Sequence, residues 1–186
     1  MRGPGGTCIH AHAPGDHARE AGDAFPEPGH DHRHCAADVL ARADAICRSA
    51  GVRLTPGRRA VLDVLLAESH RPLGAYDIIE RLGAGGPPPA PISVYRALNF
   101  LTENGLVHRI ERLNAFLACA GRHDAARPVV FLICETCGQV AEVSGESIGL
   151  DVAGLQARTG FVPRNAAIEI LGLCARCAAA PARAAG

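Results

Sequence analysis

The sequence contains no lysine and no tryptophan. All 19 basic residues are arginine, set against 19 acidic ones, so the formal net charge is zero. Global charge therefore announces no polyanionic partner, although the planar donor fork of arginine suits phosphate and guanine. Only 4% of the residues are aromatic, so large buried rings do not dominate the packing. No run of 18 apolar residues occurs, which excludes a helical membrane span. The first residues lack the apolar stretch of a secretory signal, and the expected compartment is the cytoplasm. No paired acid and base, nucleophile triad or phosphate loop stands out, so an enzyme is not expected.

What remains is a chain of 186 residues, 48% of them apolar, long enough for one medium domain or two small ones. Two domains of about 75 residues would each have a thin core. Thin cores often draw stability from a metal or from a second subunit. Eight cysteines in a cytoplasmic chain read as metal ligands or redox thiols before disulfides.

Residues 1–35 are rich in Gly, Pro, Ala and His, and offer too little apolar surface to offset ordering entropy. Six of the nine histidines fall there (His10, His12, His17, His30, His32 and His34). A first helix is predicted from Ala36 to about Ser49, with Val39, Ala43 and Ile46 on one stripe. Thr55 and Pro56 read as the cap and first residue of a second helix, which turns Val61, Leu62, Leu65 and Leu66 inward and ends by His70-Arg71-Pro72. A third helix runs from Ala75 to Leu82. A Gly/Pro loop leads to a fourth over residues 92–101, stopped by Gly105. Two short strands, residues 106–111 and 115–119, follow around a Leu113-Asn114 turn. Helices and then a hairpin is the order of a winged helix. Beyond residue 122 the pattern predicts strands at 129–133, 139–143 and 166–171, a helix over 146–159, and an Ala-rich tail over 178–186. The fold class is α+β. A winged-helix domain (36–120) precedes a small α/β domain (121–177).

In the fourth helix Val94, Ala97, Leu98 and Leu101 follow the inward spacing, which puts Tyr95, Arg96 and Asn99 on the opposite face. Arg pairs with guanine, Asn with adenine, and Tyr reaches phosphate or a thymine methyl. Arg58 and Arg59 on the second helix suit backbone phosphates, as do Arg109 and Arg112 in the hairpin. The same pattern also fits a solvated face of an ordinary helical domain.

Cys134-Glu135-Thr136-Cys137 and Cys174-Ala175-Arg176-Cys177 form two C-x-x-C pairs, each after a predicted strand. Four thiolates around a tetrahedral ion make a structural zinc site. The 36 residues between the pairs exceed a compact zinc-ribbon spacing, so the intervening elements must bring them together. The competing readings are a redox dithiol or accidental pairs. A thioredoxin-type motif needs its first cysteine at a helix N-terminus, and neither pair is predicted to sit there. His108, Cys119, His123 and Glu142 cluster between the two predicted domains. One thiolate with imidazole and carboxylate suits zinc. Spacing alone leaves them equally readable as surface histidines and a buried thiol.

These residues together resemble the ferric uptake regulator family, most closely its zinc uptake regulators. The resemblance covers roughly Ala36 to Cys177. It rests on Arg53-Leu54-Thr55-Pro56, Leu73-Gly74-Ala75-Tyr76-Asp77, Ser93-Val94-Tyr95-Arg96-Ala97-Leu98 and Leu106-Val107-His108-Arg109-Ile110-Glu111. Phe131-Leu132-Ile133-Cys134 with Cys137-Gly138, and Gly172-Leu173-Cys174-Ala175-Arg176-Cys177, complete it. The resemblance implies a homodimer that represses zinc-uptake genes when zinc is plentiful. It implies a structural zinc on Cys134, Cys137, Cys174 and Cys177, and a sensing zinc at the hinge on His108, Cys119, a histidine and Glu142. Tyr95 and Arg96 match the family's DNA-contact positions.

One departure matters. Zinc regulators of this group place a histidine midway to late between the positions of Cys119 and Cys134. This chain offers only His123 there, and a late position holds Arg127. Iron and peroxide sensors usually carry histidines just before the first knuckle, where this chain has Arg127-Pro128-Val129-Val130. The alternatives are an iron or peroxide sensor of the same family, a zinc buffer or carrier using the His-rich N-terminus, and a thiol oxidoreductase.

Overall fold

The computed structural model describes residues 25, 32–68, 70–119, 128–163 and 166–180. His123 lies outside them, as do residues 181–186 and, apart from residue 25, the His-rich segment through residue 31. Helix α1 (His32–Ser49) begins four residues earlier than the periodicity suggested. Its buried stripe is Val39, Ala43 and Cys47, spaced one turn apart, with Ile46 half-buried beside it.

Helix α2 (Pro56–Ala67) starts as predicted. The Thr55 hydroxyl accepts the Arg58 N–H at 3.4 Å, and Pro56 occupies the first turn, where its missing donor leaves no bond unmade. Val61, Leu62 and Leu65 are buried, and Leu66 packs partly against the same core. A two-residue strand β1 (Leu73–Gly74) then leads into α3 (Ala75–Leu82). Strand β1 is too short to carry a period-2 signal, and it escapes sequence reading for that reason. Helix α4 (Pro91–Glu103) buries Val94, Ala97, Leu98 and Leu101. It ends in a Schellman arrangement: the Leu106 N–H reaches the Leu101 carbonyl at 2.9 Å and the Gly105 N–H reaches Thr102 at 3.0 Å. Gly105 sits at φ +65°, a conformation that strains any residue with a Cβ.

Strands β2 (Val107–Ile110) and β3 (Ala115–Ala118) form the hairpin, joined by a 3₁₀ turn (Glu111–Leu113) and by Asn114 at φ 46°. With β1 they make a sheet of order β1-β3-β2. The side chains of this hairpin alternate between two interiors. Val107, Phe116 and Ala118 join the helical core, while Ile110 and Leu117 join a second cluster with Val129, Phe131, Ile133 and Val140. A strand apolar on both faces is one covered on both faces, and here the covers are the helices on one side and a second sheet on the other.

That second sheet has the order β5-β4-β6. Strand β4 (Val129–Cys134) is central, antiparallel to β5 (Val140–Ser144) and parallel to β6 (Ala167–Gly172). A parallel neighbour requires a crossover, supplied here through α5 (Val152–Thr159). The single helix expected over 146–159 is instead a 3₁₀ turn (Gly145–Ile148) and then α5. Gly149, at φ +73°, ends the first piece, and the Asp151 carboxylate caps the second by accepting the Gly154 N–H at 2.7 Å. These local stop and start signals override a continuous apolar spacing. The Ala-rich tail expected from residue 178 is helical at its start, because α6 (Ala175–Ala179) runs into it. Among the described residues no helix is long and apolar enough to cross a membrane.

Candidate metal centres and nucleic-acid interface

Sheet pairing brings the two cysteine pairs together. Cys134 is the last residue of β4, opposite Gly172 at the end of the parallel strand β6, so both knuckles leave the sheet at the same edge. The first knuckle is a tight turn in which the Gly138 N–H reaches the Cys134 carbonyl at 2.9 Å and the Cys134 N–H reaches Gln139 at 3.0 Å. The donor atoms of Cys134, Cys137, Cys174 and Cys177 all lie within 4.8 Å of one another, and Cys137 Sγ is 3.9 Å from Cys174 Sγ. A tetrahedral ion with zinc–sulfur bonds of about 2.3 Å needs sulfur–sulfur edges of about 3.8 Å. The cluster therefore has the size and the soft donors of a zinc site. Burial alone raises the Cys134 thiol, but the backbone N–H groups of Cys174, Cys137 and Thr136 outweigh it and bring Cys134 down to about 6. Cys177, facing the Cys174 sulfur and the rest of the cluster, is pushed up to about 12. The thiols of Cys134 and Cys177 are thus driven in opposite directions by their mutual proximity, a conflict that a divalent cation between them would relieve. The second pair also corrects an expectation: Cys174 is the N-cap of α6, so this pair does sit at the N-terminus of a short helix.

The hinge cluster arises from strand alternation. His108 shares its face of β2 with Ile110, opposite Leu117 on β3, and Cys119 follows Leu117 by two residues. All point toward the second sheet, where Phe131 and Glu142 are register partners. His108 Nε2 lies 3.3 Å from Glu142 Oε1, and Cys119 Sγ lies 3.9 Å from the same oxygen. The ring of His108 tilts onto Phe131 with centroids 5.1 Å apart. The three donor atoms fall within 4.8 Å of one another. A nitrogen and an oxygen on one tetrahedral zinc stand about 3.4 Å apart, close to the His108–Glu142 separation. Burial by itself lowers the pKa of His108, but hydrogen bonds to Cys119 and Glu142, together with their charges, outweigh it and lift His108 to about 9. The pocket favours positive charge. Of the four candidate hinge ligands, three converge, and His123 lies outside the described residues.

Tyr95, Arg96 and Asn99 are all exposed on α4, opposite its buried stripe. Arg58, read from sequence as a phosphate contact, has contacts within the fold as well. Its guanidinium stacks 3.4 Å over the Phe100 ring and donates to the Arg53 carbonyl at 2.5 Å, so it braces α2 against α4. Arg59 is exposed and reaches Asp44 at 3.7 Å and Asp63 at 4.0 Å, contacts weak enough for a phosphate to displace. In the hairpin, Arg109 pairs with Glu111 at 3.1 Å.

Sequence reading missed three polar links between the winged part and the second sheet or the hinge. The Arg42 guanidinium of α1 donates to the Cys119 carbonyl. The Val140 N–H donates to the His70 carbonyl at 3.0 Å, with His70 at φ 69°. The Glu169 carboxylate accepts two N–H groups from the hairpin turn. Partners 57 to 77 residues apart leave no short-range signal.

Known proteins are similar in sequence and fold. The chain matches the Ferric uptake regulator family over residues 49–171. It is 37% identical over 140 residues to the zinc uptake regulation protein of Escherichia coli strain K12, covering 75% of this chain and 81% of that protein. It is 33% identical over 145 residues to the peroxide operon regulator of Bacillus subtilis strain 168, covering 76% of this chain and 95% of that protein. Among solved structures, a zinc uptake regulator complexed with zinc and DNA matches with a TM-score of 0.68 at 36% identity, covering 77% of this chain and 95% of that one. Holo XcZur matches with a TM-score of 0.66 at 39% identity, covering 78% of this chain and 99% of that one. The α+β expectation is borne out, and the relatives are transcription regulators. This chain belongs to the ferric uptake regulator family.

Proposed function

We propose that this chain is a cytoplasmic, zinc-responsive transcriptional repressor that binds operator DNA as a homodimer and represses zinc-uptake genes. The observation that carries this reading is the His108–Cys119–Glu142 cluster, whose donors come from both sides of the joint between hairpin and second sheet. An ion held there selects one orientation of the winged part. Each chain would hold one structural zinc on the four cysteines and one regulatory zinc at the hinge, with His123 as the fourth regulatory ligand. Residues 36–120 would form the DNA-reading unit and residues 121–177 the dimerisation unit. Two observations support the dimer: β6 is an edge strand, and Phe161, Val162, Ile170 and Leu173 are exposed apolar residues on or near it.

The exposed face of α4 supports direct base reading by Tyr95, Arg96 and Asn99, with Arg59 on a phosphate and Arg58 acting through Phe100. Replacing Arg96 by alanine should weaken operator binding by about tenfold or more per half-site, since a bidentate arginine–guanine pair contributes on the order of 1–3 kcal/mol. Zinc content should stay as in the wild type. Fluorescence anisotropy on a zinc-uptake promoter reads the loss, and unchanged affinity would remove Arg96 from the interface.

The function as a whole is tested by gel shift on that promoter with zinc, iron and manganese, each against a chelator. Retardation restored by zinc alone supports the reading. Restoration by iron or manganese instead would align the chain with the ferric and peroxide regulators that it also resembles. Metal binding with no retardation under any condition would favour a zinc carrier.

A further inference from the structure

Across the second sheet, Phe131 of β4 pairs with Glu142 on one side and with Glu169 on the other. The two carboxylates thus flank Phe131 in one row, two strand spacings or about 10 Å apart. Glu142 meets His108 near the base of the hairpin. Glu169 meets its tip: Oε1 accepts the Glu111 N–H at 2.7 Å and Oε2 accepts the Arg112 N–H at 3.0 Å. These are the first two amides of the 3₁₀ turn (Glu111–Leu113), groups that a helical turn leaves without partners of its own. A carboxylate from a different sheet caps them both, and each bond is charge-assisted.

We infer that Glu169 is a positioning residue: a second attachment, built only from protein atoms, that fixes the rotation of the hairpin on the second sheet. A body pinned at one point still pivots about it. The hinge cluster pins the base, the Val140–His70 bond ties the turn after α2 to β5, the Ile110–Leu117 patch is apolar and non-directional, and the paired hydrogen bonds supply a direction at the tip, which neither of the other polar contacts reaches. The consequence for DNA rests on the repressor reading above. The attachment itself does not.

The experiment uses the full-length protein, with Glu169→Ala, Glu111→Pro and the double variant. Proline suits the first position of a helical turn and removes one of the two amides that Glu169 accepts, together with the Glu111 side chain that pairs with Arg109. Hydrogen exchange at the Glu111 and Arg112 amides of Glu169→Ala should quicken by tenfold or more, with the sulfur-bound metal still present. At saturating zinc, operator affinity should fall about tenfold, equivalent to about 1.4 kcal/mol, while the zinc per chain stays unchanged. That split separates positioning from general damage. Glu111→Pro should lose part of what Glu169→Ala loses, because the Arg112 bond survives in it, and the double variant should be no worse than Glu169→Ala, because the proline acts through a contact that Glu169→Ala has already removed. Glu111→Ala, which keeps the amide, should stay within about twofold of wild type. Unchanged exchange at those amides, or additive losses in the double variant, would overturn the inference. If the wild type shows no zinc-dependent operator binding, the repressor reading fails, and the exchange measurement still decides the attachment.

Discussion

Replacing Cys134 by serine is expected to abolish soluble dimer, not merely to weaken it. Cys134 is 1% exposed, ends the central strand of the second sheet, and is the sulfur on which the backbone N–H groups of Cys174, Cys137 and Thr136 converge. Structural zinc contributes on the order of 10–16 kcal/mol of apparent binding free energy in small domains. A whole domain is stable by about 5–15 kcal/mol. Removing one of four thiolates forfeits a large part of the first quantity, which is comparable with all of the second. Size-exclusion chromatography and zinc analysis of the purified variant are the measurements. A zinc-free variant that remained a folded dimer would show that the four-sulfur cluster is not what holds this part together.

The second large effect is expected at Cys119, and it should look different. Cys119→Ser should stay folded and keep one zinc per chain, because Cys119 stands apart from the four-sulfur cluster. Serine preserves the size of the side chain and keeps a hydrogen-bond donor near Glu142, but it is a poor ligand for a borderline ion. Operator binding should therefore lose its dependence on zinc. Linkage of this kind is typically about 1–3 kcal/mol, or roughly 5- to 150-fold in affinity, and it is reciprocal, so operator DNA should tighten hinge zinc by the same factor in the wild type. A zinc titration of operator binding, with and without the substitution, reads both. A zinc response that survived in the variant would remove Cys119 from the sensor.

Much of this was legible in the sequence because the relevant signals are local. Thr55-Pro56 marks a helix start and Gly105 a helix stop. The convergence of Cys134 with Cys174 needed the parallel β4–β6 register, which is a long-range pairing that no local pattern encodes. The expectation for 146–159 failed at Gly149 and Asp151, where turn chemistry broke a spacing that otherwise suited one helix. Arg58 was read from its charge alone. Its stacking on Phe100 depends on the packing of α2 against α4. Glu169 gave no signal at all, since its partners are backbone amides, and an amide looks the same at every position of a sequence.

The hairpin is apolar on two sides, and its outer side, Ile110 and Leu117, is buried against Val129, Phe131, Ile133 and Val140. Any swing of the winged part away from the second sheet returns those side chains to water. Hydration of apolar surface carries a positive heat capacity, and its penalty shrinks on cooling. If the chain is the zinc-responsive repressor proposed above, the balance between closed and open arrangements is therefore temperature-dependent even at fixed zinc: in the cold the open form would gain ground, and more zinc would be needed to hold the same operator. A joint sealed by hydrocarbon would to that extent also make such a repressor a thermometer.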